Sequence, residues 1–267
     1  MKFDIYNFRE YQGFALRTEK TPVFWCGNHQ KSRFAHGVIG ICTEIGELQD
    51  QFKKNLIYGR ELDPVNVVEE LGDIAWYCAL VCSSLDTVLG ADSSCDGDLF
   101  NRTCHFENVT PEGLATMRLA ATLYLGLTQA MLQREAWSLA AASGWEVQRR
   151  EVLHAVDNIL CASSNVLASL GYTWKDACER NIAKLARRFG DKFSEHAALN
   201  RDLDAERQEL EKAERLVRAG VITPEAMKEA IDLVDLPPKT DFGFRCCERD
   251  TDGDGNCYVH PKSERKA

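Results

Sequence analysis

Apolar residues recur along this chain at steps of three and four, the period of an amphipathic helix. The longest such run is Phe34, Val38, Ile41, Ile45, Leu48, Phe52 and Leu56. It predicts a helix with Ser32 as its N-cap and Gly59 as the residue that ends it. A second run, Val67, Leu71, Ile74, Cys78, Val81 and Leu85, follows Asp63 and Pro64. Those two are an N-cap residue and a proline suited to the first helical position. The link between the runs is short, so the two helices are expected to pack antiparallel.

The same period predicts a first helix over residues 4–18, then a loop, TEKTPVFWCGNHQK. Residues 90–112 are polar and read as a second loop. Helices are expected from Pro111 to Ala142 and from Trp145 to Leu170. TWKDACERNIAKLARRFG follows, with Thr173 as N-cap and Gly190 as its stop. Residues 200–220 are densely charged and predict an exposed or partner-binding helix. Thr223 and Pro224 open one more short helix, TPEAMKEAIDLV, and the pattern breaks at Pro237. The fold class is therefore all-α, a helical bundle. It divides into a main domain over 1–203, charged helices over 204–236 and a tail rich in cysteine and aspartate over 237–267.

Composition narrows the function. A formal net charge of −9 over 267 residues argues against a general nucleic-acid or anionic-membrane binder. It leaves room for one local basic site. There are 11 cysteines, an odd number, and Cys78, Cys82 and Cys161 sit inside apolar helical patterns. They read as reduced core residues. The N-terminal MKFDIYNFREYQ has no apolar core, so no signal peptide is expected. No apolar run approaches the roughly 20 residues that span a bilayer. A cytoplasmic protein is the expectation.

Glu44 and Glu47 lie three residues apart, as do Glu70 and Asp73, and each pair borders an apolar stripe. Residues three apart share a helix face. On antiparallel neighbours the four carboxylates converge, and their repulsion raises their pKa values. A divalent cation removes that conflict, and an all-oxygen ligand set suits Mg²⁺ or Mn²⁺. The competing reading is a solvated acidic face with Lys53 and Lys54 as counter-charges. Gly46 and Gly72 lie inside the pairs, each costing about 1 kcal/mol relative to alanine in a helix. Close approach of a backbone or a ligand is a reason to accept that cost.

HGVIGICTEIGELQDQFKK and ELDPVNVVEELGDIAWYCA resemble the ExxE and ExxD segments of the MazG-like all-α nucleoside triphosphate pyrophosphohydrolases. REYQGFALRT is similar to that family's N-terminal helix, and LASLGYTWKDACERNIAKLARRFGDKFSEHAALNRD to its later N-x-x-K helix. The resemblance covers roughly residues 4–82 and 159–202. Between them lies an insertion, residues 83–158, absent from compact members. It either adds a helical pair to the bundle or supplies what a second subunit supplies elsewhere.

The resemblance implies hydrolysis of an NTP or dNTP to its monophosphate and pyrophosphate, with Mg²⁺ held by Glu44, Glu47, Glu70 and Asp73. Glu44 or Glu47 would accept the proton of the attacking water. Asn181, Lys184 and Arg188 share one face and are expected to contact phosphate, with Lys54, seven residues after Glu47, joining them. The other reading of these cations is placement at a helix C-terminus. A homo-oligomer, dimer or tetramer, is implied as well. A guanosine tetraphosphate alarmone is an alternative substrate, and a catalytically inactive helical nucleotide-binding or interaction module is an alternative role. Phe24, Trp25, Trp76 and Tyr77 are candidates to stack a base, with Trp76 better read as core.

Two further signals are weaker. Glu151 and His154 form a single ExxH, where di-iron bundles use two. In the tail, Cys246, Cys247, Cys257 and His260 offer a possible zinc set of irregular spacing. Asp250, Asp252 and Asp254 resemble the start of a calcium loop that lacks its closing glutamate.

Overall fold

The computed structural model describes residues 5–20, 29–91, 99–101, 111–141, 145–190 and 192–218. Among these the regular structure is helical throughout: α1 (Phe8–Ala15) with a 3₁₀ turn (Leu16–Thr18), α2 (His29–Leu56), α3 (Pro64–Ser84), α4 (Pro111–Ala141), α5 (Trp145–Ser169), α6 (Trp174–Phe189), α7 (Glu195–Leu199) and α8 (Leu203–Arg218). The aromatics Phe24 and Trp25, the second short helix after Thr223 and the cysteine- and aspartate-rich tail lie outside the described residues.

The two apolar stripes form the centre. Every predicted stripe residue of α2 and α3 is buried except Leu56, at the end of α2. Asp63 Oδ1 accepts from the amides of Val65 (3.1 Å) and Asn66 (3.3 Å), which fixes the start of α3. Gly59 has φ +65°, the left-handed conformation that turns the chain after α2. α2 starts at His29, one turn before the predicted cap, and Ser32 is buried inside its first turn. Gln30 there donates to the Ser84 carbonyl (2.8 Å), which has no partner within α3. That bond favours the longer helix. α1 starts later than predicted, because the Asn7 side chain captures the Glu10 amide (2.9 Å).

α2 packs on α3 and α4, and α5 packs on α4 and α3, which closes a ring of four helices. α4 and α5 thus form a helical pair that completes the bundle begun by α2 and α3. α6 docks on the far side of α3 and carries α1 and α8. Trp174 ties α6 to α5 through donation from its Nε1 to Ser164 Oγ (2.8 Å), and its ring meets Phe8 edge-on at 5.8 Å. Thr173 and Asp176 form a reciprocal capping box at the start of α6. The charged helix α8 is not simply exposed. Glu206 and Leu210 are buried, with α8 packed against α6.

Two glycines mark close approaches. A Cβ at Gly72 would lie 3.0 Å from both the Ala177 carbonyl oxygen and Asn181 Cβ, so α3 and α6 meet almost backbone to backbone. A Cβ at Gly40 would fall 2.1 Å from the Tyr77 ring. No backbone approaches Gly46 in this way, since a Cβ at that exposed position meets nothing within 4 Å. Opposite signs are therefore expected in thermal unfolding. Gly40→Ala should cost about 1–3 kcal/mol by overpacking, whereas Gly46→Ala should add up to about 1 kcal/mol of stability. Equal shifts for the two variants would contradict the packing described.

Candidate functional site

A cleft of about 460 Å³ opens between α2, α3 and the C-terminal end of α6. One wall is acidic: Glu44 and Glu47 from α2, with Glu69, Glu70 and Asp73 from α3. A second is aromatic, from His36, Trp76 and Tyr77. Leu185, Phe189 and Phe193 line the opposite side, where Lys20, Arg188 and Arg201 bring positive charge.

Antiparallel packing brings the two acidic pairs together as their spacing implied. Glu44, Glu47 and Glu70 each offer a carboxylate oxygen, and the three lie within 4.8 Å of one another. Such a set suits one hard divalent cation. Burial, then repulsion from Asp73 and Glu47, pushes the Glu70 carboxyl up to about 8. Burial, followed by the charges of Asp73 and Glu47, pushes Glu44 up to about 7. Without a cation Glu70, and in part Glu44, therefore retains its proton near neutral pH.

Asp73 lines the cleft but stands apart from that trio. Its Oδ1 accepts from Asn181 Nδ2 (2.7 Å) and its Oδ2 from Lys184 Nζ (2.5 Å). Lys184 Nζ also lies 3.2 Å from Glu69 Oε1, and its side chain is 1 % exposed. Burial alone would lower the Lys184 pKa, but Asp73 and Glu69 outweigh it and raise the value. The Tyr11 hydroxyl bonds Asn181 Oδ1 (2.9 Å). Asn181 and Lys184, expected to touch phosphate, thus hold Asp73 from behind and are absent from the cleft lining.

Arg188 reaches the cleft as expected. Its Nε and one terminal nitrogen grip Glu206 of α8 (2.8 and 2.5 Å), and Arg201 joins the same carboxylate at 2.9 Å. Burial would raise the Glu206 pKa, but the two guanidinium groups bring it down to about 2. Lys54 is a correction. It pairs with Asp50 Oδ2 at 2.6 Å, one helical turn back, and does not line the cleft. Sharing a face with Glu47 was a sound inference, but a nearer carboxylate on the same helix captures the cation.

Several cleft residues were not anticipated. Glu69 was legible in principle, since it precedes Asp73 by four and so shares its face. His36 was legible too, since it precedes Glu47 by eleven, three turns along one face of α2, whereas Lys20 and Arg201 come from segments whose approach to the cleft leaves no local signal. The His36 ring stands edge-on to Trp76 (6.1 Å) and Tyr77 (5.7 Å), its buried Nδ1 has no hydrogen-bond partner among the described residues, and burial lowers its pKa. Trp76 is almost wholly buried and donates to the Ala15 carbonyl (2.9 Å), in keeping with the core reading, although its edge reaches the cleft.

No family model, curated protein or solved structure matches the chain. Among the described residues, no helix is long and apolar enough to cross a membrane.

Proposed function

We propose that the cleft is the active site of a Mg²⁺-dependent nucleotide pyrophosphohydrolase, which cleaves an NTP or dNTP to its monophosphate and pyrophosphate. The observation that carries this reading is the convergence of Glu44, Glu47 and Glu70 within 4.8 Å inside a cleft that also holds cationic side chains. When bound, Mg²⁺ or Mn²⁺ neutralises phosphate charge and lowers the pKa of coordinated water. Glu44, Glu47 and Glu70 would hold the ion. Asp73, kept in place by Asn181 and Lys184, supports them from the side.

The other residues divide by chemistry. Glu44, with its pKa brought to about 7, is suited to accept a proton from an attacking water near neutral pH. Arg188, Arg201 and Lys20 line the same cleft and would balance the charge that gathers on the leaving pyrophosphate. Arg188 keeps one terminal nitrogen free of its Glu206 fork for that purpose. His36, Trp76 and Tyr77 offer an aromatic wall to the base. The resemblance of the α2 and α3 sequences to the MazG-like enzymes supports this reading, with a nucleoside triphosphate or a guanosine tetraphosphate alarmone as the substrate. Cys42, Cys78 and Cys178 are free thiols, in keeping with a cytoplasmic enzyme.

The internal neutralisation of Lys184 by Asp73 and Glu69 favours a second reading, a helical nucleotide-binding or interaction module without turnover. A pyrophosphate-release screen over NTPs, dNTPs and alarmones, with and without Mg²⁺, decides between them. Cation-dependent release from at least one nucleotide is expected. Binding without release selects the module, and neither binding nor release removes both readings. Cation affinity should also rise with pH. Glu44 and Glu70 lose protons near 7 and 8, so calorimetry should show affinity climbing between about pH 6 and pH 8.5 with protons released on binding. A pH-independent affinity would place the ion elsewhere.

A further inference from the structure

α4 carries an apolar face that no described residue covers. Leu119, Leu123, Leu127 and Met131 step by four along it, each between 46 % and 65 % exposed, with Tyr124 beside them at 44 %. The opposite face, with Ala121, Leu125, Thr128 and Leu132, is buried. No charged residue interrupts the chain between Arg118 and Arg134. A helix that is apolar on both faces is ordinarily covered on both.

We propose that this face is where two copies of the chain pair, α4 against α4 about a two-fold axis. The spacing of the residues is compatible with this occupant. The four ridge positions are symmetric about residue 125. In an antiparallel pair, Leu123 therefore meets Leu127 of the partner subunit and Leu119 meets Met131 of the partner subunit. A two-fold contact requires such a self-complementary patch. Rows of residues spaced by four interdigitate at an interaxial angle of about −50°.

Size and charge agree with this choice. Five half-exposed apolar side chains present on the order of 500 Å², the upper end of what a lone monomer leaves uncovered. Paired, they bury about 1,000 Å², the lower bound for a specific interface. A charged partner finds nothing on the ridge to recognise. Arg134, which ends the ridge, stays on the order of 27 Å from its symmetry mate at 1.5 Å per residue. The overall charge of −9 opposes association at long range, so pairing should strengthen with added salt.

Sedimentation velocity of the full chain at micromolar concentration tests the proposal. The wild-type protein is expected to sediment as a dimer. Leu123→Arg and Leu127→Glu should each weaken self-association by on the order of 100-fold, with unchanged far-UV circular dichroism. An equimolar mixture of the two should recover a dimer, because the antiparallel register sets Arg against Glu. Leu127→Ser, which removes apolar area without adding charge, serves if a charged variant loses its fold. A monomeric wild type, variants as dimeric as the parent, or a mixture that stays monomeric would each overturn the proposal.

Discussion

Replacing Glu70 with glutamine is expected to abolish turnover while making the cation-free protein more stable. Glu70 is buried, and its carboxyl is pushed up to about 8 by burial and by its acidic neighbours. In the unfolded chain it returns to an ordinary value near 4.5. A group whose pKa is raised by folding stabilises fully below the unfolded value. That contribution is lost as pH rises through the folded one. Glu44, at about 7, behaves in the same way.

The cation-free wild type should therefore lose thermal stability between about pH 5 and pH 8.5. Glu70→Gln, which carries no charge to bury, should flatten that decline and melt higher at the alkaline end. The same change removes one of the three converging oxygens. Cation-dependent pyrophosphate release should fall on the order of 100-fold or more, about 2.7 kcal/mol of transition-state stabilisation. Melting curves across pH in a chelator, set beside product release, check both halves. A variant that melts lower at alkaline pH, or turns over at the parental rate, contradicts the role given to Glu70.

The second large effect is structural. Lys184→Met should lower the melting temperature by on the order of 10 °C in the absence of any nucleotide. Lys184 is 1 % exposed and faces both Asp73 and Glu69. Removing it leaves two partly buried carboxylates without their counter-charge, which costs about 3 kcal/mol, the lower end of the range for breaking a buried pair. For a chain of this size each kcal/mol is worth roughly 2–4 °C. Adding Asp73→Asn removes one of the stranded charges and should restore part of the loss. Were Lys184 mainly a phosphate contact, the single variant would melt normally and show only a raised KM.

That contrast marks the limit of what local spacing reveals. The stripes from Phe34 to Phe52 and from Val67 to Leu85 were legible because a packed helix must repeat its apolar face every three or four residues. The meeting of Glu44, Glu47 and Glu70 followed from those stripes and the short link between α2 and α3. The supporting contacts did not follow. Asp73 and Lys184 are 111 positions apart, and nothing near either one announces the bond. The sequence placed Lys184 correctly on one face with Arg188, but it could not say that α3 would close over that face. Glu206 was hidden likewise. In a densely charged stretch, its burial depends on Arg188 and Arg201 reaching it from outside α8. Lys54 failed for the opposite reason, since a local partner, Asp50, outcompeted the distant one.

The role of the acidic trio is tested most directly by locating a cation. Crystals soaked in Mn²⁺ and measured at its absorption edge should give an anomalous peak bonded to oxygens of Glu44, Glu47 and Glu70. A peak bound elsewhere, or none at a saturating Mn²⁺ concentration, would show that these carboxylates do not form a metal site.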